Sequence, residues 1–155
     1  MTLYLVRHAD AKSRGGWAGD DHLRPLTKRG HRQARQMVET MGSAPIQRIL
    51  SSEALRCIET VMPLSAQVGV PVDVIPALTE GADGAKAIEL IRSMVGLPGD
   101  SVACAHGDLI PEILRALARA GAHYDDQLRW PKGSVWVLTV DGKRVVSGSI
   151  VEASG

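Results

Sequence analysis

Leu3-Tyr4-Leu5-Val6-Arg7-His8-Ala9 is an apolar run that stops at an arginine and a histidine. Its brevity and its Leu and Val content predict a core strand, with Arg7 and His8 delivered at the C-terminal tip. In an open α/β sheet, ligands bind in the crevice beyond the strand tips. An imidazole there supplies a nucleophile or a proton carrier at neutral pH, and a guanidinium supplies a fixed cationic fork for an anion. An isolated Arg-His pair more often sits in a surface loop, so the reading depends on what else reaches the same edge.

A second run of this kind occurs later. Ser101 to Ala105 is small and apolar and ends at His106-Gly107-Asp108. Between the two, Ile46 to Leu50 and Val70 to Ile75 read as further short strands. Helical spacing connects Ala34, Met37, Val38 and Met41, with Thr27 as N-cap and Gly42 as the stop. A second helix is expected from Ser52 as N-cap through Leu55, Ile58 and Val61, with a possible bend at Pro63. A third covers Ala85 to Val95, and a fourth starts near Pro111, a tolerated first-turn proline, and closes at Gly121. Ser134 to Val140 and Lys143 to Ile150 flank Asp141-Gly142, the signature of a hairpin. The expected fold is α/β: a three-layer sandwich whose mostly parallel central sheet carries an antiparallel edge hairpin.

The 155 residues suit one domain, expected over 1–152 with 153–155 as a tail. Hydrophobic residues make up 45% and charged ones 23%, which excludes a disordered chain. A net charge of +1 gives no global field for a nucleic acid polymer or a membrane, so any anion site must be a local cluster. The sequence shows neither a spanning segment nor a signal peptide, and a cytoplasmic setting is expected. Cys57 and Cys104 lack CxxC spacing and read as small buried side chains. No signal for an oligomeric state is present.

Asp10 to Pro25 has no helical or strand period and reads as a long loop, of a length that is usually either a functional cover or disordered. Within it, Trp17 either folds over a substrate or anchors the loop to the body. Arg56 falls in the first turn of the second helix, where backbone N–H groups already favour an anion. It either shares a phosphate with Arg7 or is a solvated arginine paired with Glu53 or Glu59. Two histidines and two arginines at one sheet edge suit phosphoryl transfer without a metal or cofactor. One imidazole attacks phosphorus, and the remaining groups neutralise its equatorial oxygens. A metal hydrolase using some of His8, His22, His31, His106 and His123 lacks HxxxH or HxH spacing.

Leu5-Val6-Arg7-His8-Ala9 then resembles the signature of the histidine phosphatase superfamily, the phosphoglycerate mutase-like proteins. Pro25-Leu26-Thr27 with Gly30, Gln33 and Ala34, Ser52 with Arg56 and Thr60, and Ala105-His106-Gly107 extend the match in the family's order. The glycine usual after the histidine is Ala9 here. The resemblance implies that His8 becomes phosphorylated and that Arg7, Arg56 and His106 form the phosphate pocket. It also implies that an acidic residue between the third strand and the next helix protonates the leaving group. Glu80 stands at that place, with Asp83 as the substitute. The short chain looks most like the compact branch containing SixA-like phosphohistidine phosphatases. Trp130 to Leu138 also resembles the phosphatase domain of mycobacterial MutT-type hydrolases, which would bring Lys132 to the pocket rim near a distal phosphate.

The expected activity is therefore a metal-independent phosphatase acting through phospho-His8, foremost on a phosphohistidine protein. The alternatives are a phosphatase of small phosphorylated metabolites or nucleotides, and a non-catalytic phosphate-binding module. A mutase fits less well, because it must shelter its phosphoenzyme and no covering segment beyond the 10–25 loop is evident.

Overall fold

The computed structural model describes residues 1–154. In chain order its elements are β1 (Thr2–Arg7), α1 (Lys28–Met41), β2 (Ile46–Ser51), α2 (Leu55–Val68), β3 (Val72–Val74), α3 (Gly84–Met94), β4 (Asp100–Ala105), α4 (Leu109–Arg119), β5 (His123–Tyr124), β6 (Val135–Asp141) and β7 (Arg144–Val151). The sheet order is β3-β2-β4-β1-β6-β7-β5. The run from β3 to β1 is parallel, and β6 joins β1 antiparallel.

Strand alternation explains why the opening run is apolar throughout. Leu3 and Leu5 face one core, beneath α3 and α4, while Tyr4 and Val6 face a second core beneath α1 and α2. Both faces of the strand are covered, so neither set of side chains can be polar. Ala103 and Val102 on β4 divide between the two cores in the same way. The result is the expected three-layer α/β sandwich. No helix among the described residues is long and apolar enough to cross a membrane.

Two local expectations are corrected. The Asp-Gly hairpin forms as β6 and β7, but it lies one strand in from the edge, because His123–Tyr124 pairs parallel to β7 outside it. Two residues are too few to carry a readable period. The N-cap of α2 is Ala54, not Ser52, and it makes no side-chain cap bond. Ser52 is instead drawn into the site described below. The helix runs on through Pro63 to Val68.

The base of the 10–25 loop is closed by its neighbours in the fold. Thr27 caps α1 by accepting from Gly30 N at 3.0 Å, and its hydroxyl donates to Asp10 Oδ2 at 2.7 Å. Lys12 N donates to the Pro25 carbonyl at 3.0 Å, and Ala11 bridges to Leu26. Gly30 permits this closure, since a Cβ there would collide with the Asp10 carbonyl oxygen. Within the loop, Asp21–Leu23 winds into one 3₁₀ turn.

Candidate active site

The pairing of β1 with β4 sets Arg7 opposite Ala105, so His8 and His106 follow adjacent strand tips. His8 N donates to the Ala105 carbonyl at 3.1 Å, and the two rings stand 5.4 Å apart at 63°. Arg56 reaches the same place from the first turn of α2. Arg7, His8, Arg56, Glu80 and His106 all line one cleft of about 480 Å³. His8, Arg56 and His106 are 6%, 1% and 2% exposed, which puts them at its floor.

The backbone around His8 fixes its protonation pattern. Thr60 Oγ1 accepts from Ala9 N at 2.9 Å and donates to the Arg56 carbonyl at 2.6 Å, holding the peptide after His8. His8 Nδ1 lies 2.8 Å from the Ala9 carbonyl oxygen. A carbonyl can only accept, so Nδ1 carries the proton and Nε2 the lone pair. Burial is the main cause that brings the His8 imidazole down to about 3; the bond to Ala9 opposes it, and the positive field of His106, Arg56 and Arg7 acts in the same direction as burial. The ring is therefore neutral at pH 7.

His106 is held from the other side of the sheet edge. Its Nε2 is 2.8 Å from Ser52 Oγ and 3.6 Å from Cys57 Sγ, and its Nδ1 is 3.5 Å from Arg56 Nη2. Cys57 and Cys104 are both free thiols and buried. Burial drives the Cys104 thiol up; at Cys57 burial acts upward too, but bonds to Cys104 and His106 together with the positive field of His106 and Arg56 lower the thiol.

Both guanidiniums are partly satisfied by protein and partly open. Arg7 Nη1 donates to the Trp130 carbonyl at 2.9 Å, and Arg56 donates to the Asp21 carbonyl at 3.0 Å and to Glu80 Oε2 at 2.7 Å. The Nε atoms of Arg7 and Arg56 are buried and have no hydrogen-bond partner among the described residues. Buried donors of this kind are costly unless an anion completes them. Gly107 gives the Arg7 guanidinium its seat, because a Cβ there would lie 2.9 Å from Arg7 Cζ. Of the two arrangements open to Arg56, the buried one is adopted: its carboxylate partners are Glu80 and Asp21, not Glu53 or Glu59.

Glu80 divides its carboxylate between Arg56 and Arg14, and it lies 3.9 Å from His106 Nδ1. Its loop is pinned where Gly81 N donates to Asp108 Oδ2 at 2.8 Å. Asp83, the substitute acid, is engaged elsewhere: it caps α3, accepting from Ala85 N at 3.0 Å. Trp17 donates its Nε1 to the Asp20 carbonyl at 2.9 Å, a contact within its own loop, and it does not line the cleft. Lys132 does line it.

Several residues of this arrangement carry no local signal in the sequence. Arg14 sits in a polar loop and meets Glu80 only because the loop base is closed. Arg24 is 5% exposed and donates to Asp21 Oδ1 and to the Lys12 carbonyl, shaping the loop from inside. Arg24, Arg56 and Arg14 overcome partial burial to hold the Asp21 carboxyl below its ordinary range. Ser52 and Thr60 were visible as motif residues, but their bonds to His106 and Ala9 depend on the packing of α2 against the strand tips. Among the described residues, no three His, Cys, Asp or Glu side chains group as a metal-ligand set.

The fold and the sequence have counterparts among known proteins. The structure of the protein histidine phosphatase SixA complexed with tungstate matches with a TM-score of 0.75 at 21% identity, over 97% of this chain and 94% of that one. The native structure of mycobacterial glucosyl-3-phosphoglycerate phosphatase matches with a TM-score of 0.71 at 18% identity, over 99% of both chains. At these identities the likeness is one of fold. In sequence, the 8-oxo-(d)GTP phosphatase of Mycolicibacterium smegmatis is 32% identical over 148 residues, 93% of this chain. The match covers 46% of that relative, so the chain spans less than half its length. The family model of the histidine phosphatase superfamily (branch 1) matches residues 3–86. Because that match takes in more than half of the residues, including the strand-end Arg7-His8 and the Arg56 turn, this chain belongs to the histidine phosphatase superfamily.

Proposed function

We propose that this chain is a metal-independent phosphatase that hydrolyses its substrate through a phosphorylated His8. The observation that carries the reading is the state of His8. Its Nδ1 proton is tied to Ala9 and its ring is neutral at pH 7. The Nε2 lone pair is thus available beside two guanidiniums with unpartnered Nε atoms.

In the first step His8 Nε2 forms a bond to phosphorus as the bond to the leaving group breaks in line. Arg7, Arg56 and His106 neutralise the non-bridging oxygens in a buried, weakly screened pocket. Glu80 supplies a proton to the leaving group where one is needed. In the second step a water oxygen bonds to phosphorus, its proton passes to Glu80 or to solvent, and the N–P electron pair returns to Nε2.

Two substrate classes leave with little protonation and so demand least of Glu80: the phosphoramidate of phosphohistidine and a phosphoanhydride. The SixA-like fold supports the first. The relative named for 8-oxo-(d)GTP and the cations at the cleft mouth favour the second.

Rapid quenching with a ³²P-labelled substrate tests the reading. The expected result is an acid-labile, base-stable label on His8 and its absence, with loss of turnover, in His8→Ala. Undiminished turnover by His8→Ala would refute it.

A further inference from the structure

The cleft carries more positive charge than one phosphoryl group requires. Five cations line it, Arg7, Arg14, Arg24, Arg56 and Lys132, against the carboxylates of Glu80 and Asp108. They are arranged in depth. Arg56 and His8 are buried at the floor, whereas the Arg14 side chain is 66% exposed and Lys132 is exposed at the mouth. Arg24 is taken up by Asp21 and the Lys12 carbonyl, so it shapes the wall.

In-line attack by His8 Nε2 directs the leaving group away from His8, out of the floor and toward that mouth. A neutral alcohol leaving there would gain nothing from Arg14 or Lys132. An anionic one would be held by both, and holding it in place lowers the barrier by orientation as well as by charge. The Arg14 position is prepared in advance: the closed loop base and Arg24 carry its backbone, and Glu80 holds its guanidinium at the mouth. Lys132 follows Trp130, whose carbonyl binds Arg7, so the mouth cation is tied to the floor cation through three residues of chain.

We propose that Arg14 and Lys132 form a distal-anion subsite and that the substrate is a terminal diphosphate. This rests on the phosphatase reading above and narrows it to one substrate class. The anhydride P–O bond breaks with its electron pair on the departing phosphate. That phosphate remains bound to Arg14 and Lys132 until water releases the second phosphate from His8. One water is consumed, and no oxidant, metal or co-substrate enters the balance.

The test compares kcat/KM for three probes, inorganic pyrophosphate, a nucleoside diphosphate and an aryl phosphate, in the wild type, Arg14→Gln and Lys132→Ala. Both diphosphates share the distal phosphate, whereas the aryl phosphate lacks it. The expected result is a wild-type preference for at least one diphosphate. Its kcat/KM ratio to the aryl phosphate falls roughly tenfold in each variant, with a loss in kcat as well as a rise in KM, and recovers in Lys132→Arg. An unchanged ratio in both variants overturns the subsite. So does a wild type that turns over the aryl phosphate, with label on His8, but neither diphosphate. In both of those outcomes the phosphatase reading stands. Absence of any label on His8 with all three probes overturns that reading instead.

Discussion

Ser52 Oγ lies 2.8 Å from His106 Nε2, a bond between residues 54 positions apart and both essentially buried. Ser52→Ala leaves that nitrogen without its strongest partner. Folding stability should fall by about 1–3 kcal/mol, the usual cost of an unsatisfied buried group. Turnover should fall about tenfold, equivalent to about 1.4 kcal/mol of transition-state stabilisation. Thermal melts and the ¹⁵N shifts of the His106 ring check the two effects separately. Unchanged ring shifts would show that Ser52 does not hold the imidazole.

The neutral state of His8 has a pH consequence with a definite sign. Its folded value, about 3, lies below the 6.5 of a free imidazole. Between those values the unfolded chain binds more protons, so stability falls as pH drops through that window and is fully retained above it. The expected observation is a His8 ring that stays neutral, with the proton on Nδ1, from pH 8 down to 5 by long-range ¹H–¹⁵N NMR. A titration midpoint between 6 and 7 would contradict it.

Gly107→Ala puts a methyl group against the Arg7 guanidinium, which is already fixed to Trp130. The fold should survive with a loss of about 1–3 kcal/mol, the range for overpacking. The displaced guanidinium should weaken inhibition by inorganic phosphate by roughly tenfold. Phosphate inhibition constants and denaturant midpoints measure the two quantities, and unaltered inhibition would separate Arg7 from the anion seat.

Two glycines near the loop should behave oppositely. A Cβ at Gly30 meets the Asp10 carbonyl, which is backbone and cannot yield without opening the loop base, whereas a Cβ at Gly15 meets nothing within 4 Å. Gly30→Ala should destabilise by about 1–3 kcal/mol and raise KM, because Arg14 loses its fixed position. Gly15→Ala should stay within about 0.5 kcal/mol of the wild type. Urea unfolding of both variants decides the matter, and equal midpoints would mean that Gly30 is not what closes the loop.

Turnover should be unaffected by excess EDTA, since charge neutralisation in the proposed reaction comes from guanidinium and imidazole groups alone. Loss of activity in chelator, restored by a divalent cation, would require a different mechanism.

Much of this was legible in the linear order of residues. The apolar runs ending in Arg7-His8 and in His106 mark two strand tips, because a strand covered on both faces must be apolar throughout and changes character only where it emerges. Thr27, Gly42 and Asp141-Gly142 mark boundaries by local backbone chemistry, which acts over three or four residues. What no local pattern encodes is register and loop closure. The pairing of Arg7 with Ala105 brings the two imidazoles together, and the Asp10–Thr27 clamp carries Arg14 to Glu80. Ser52, read locally as a cap, and Asp83, read as a second acid, took other partners once the chain folded. Sequence therefore determined which groups stand at the ends of elements. Only tertiary packing decided which of them face each other, because hydrogen bonds and ion pairs between residues 50 or more apart exist only after the sheet has set its register.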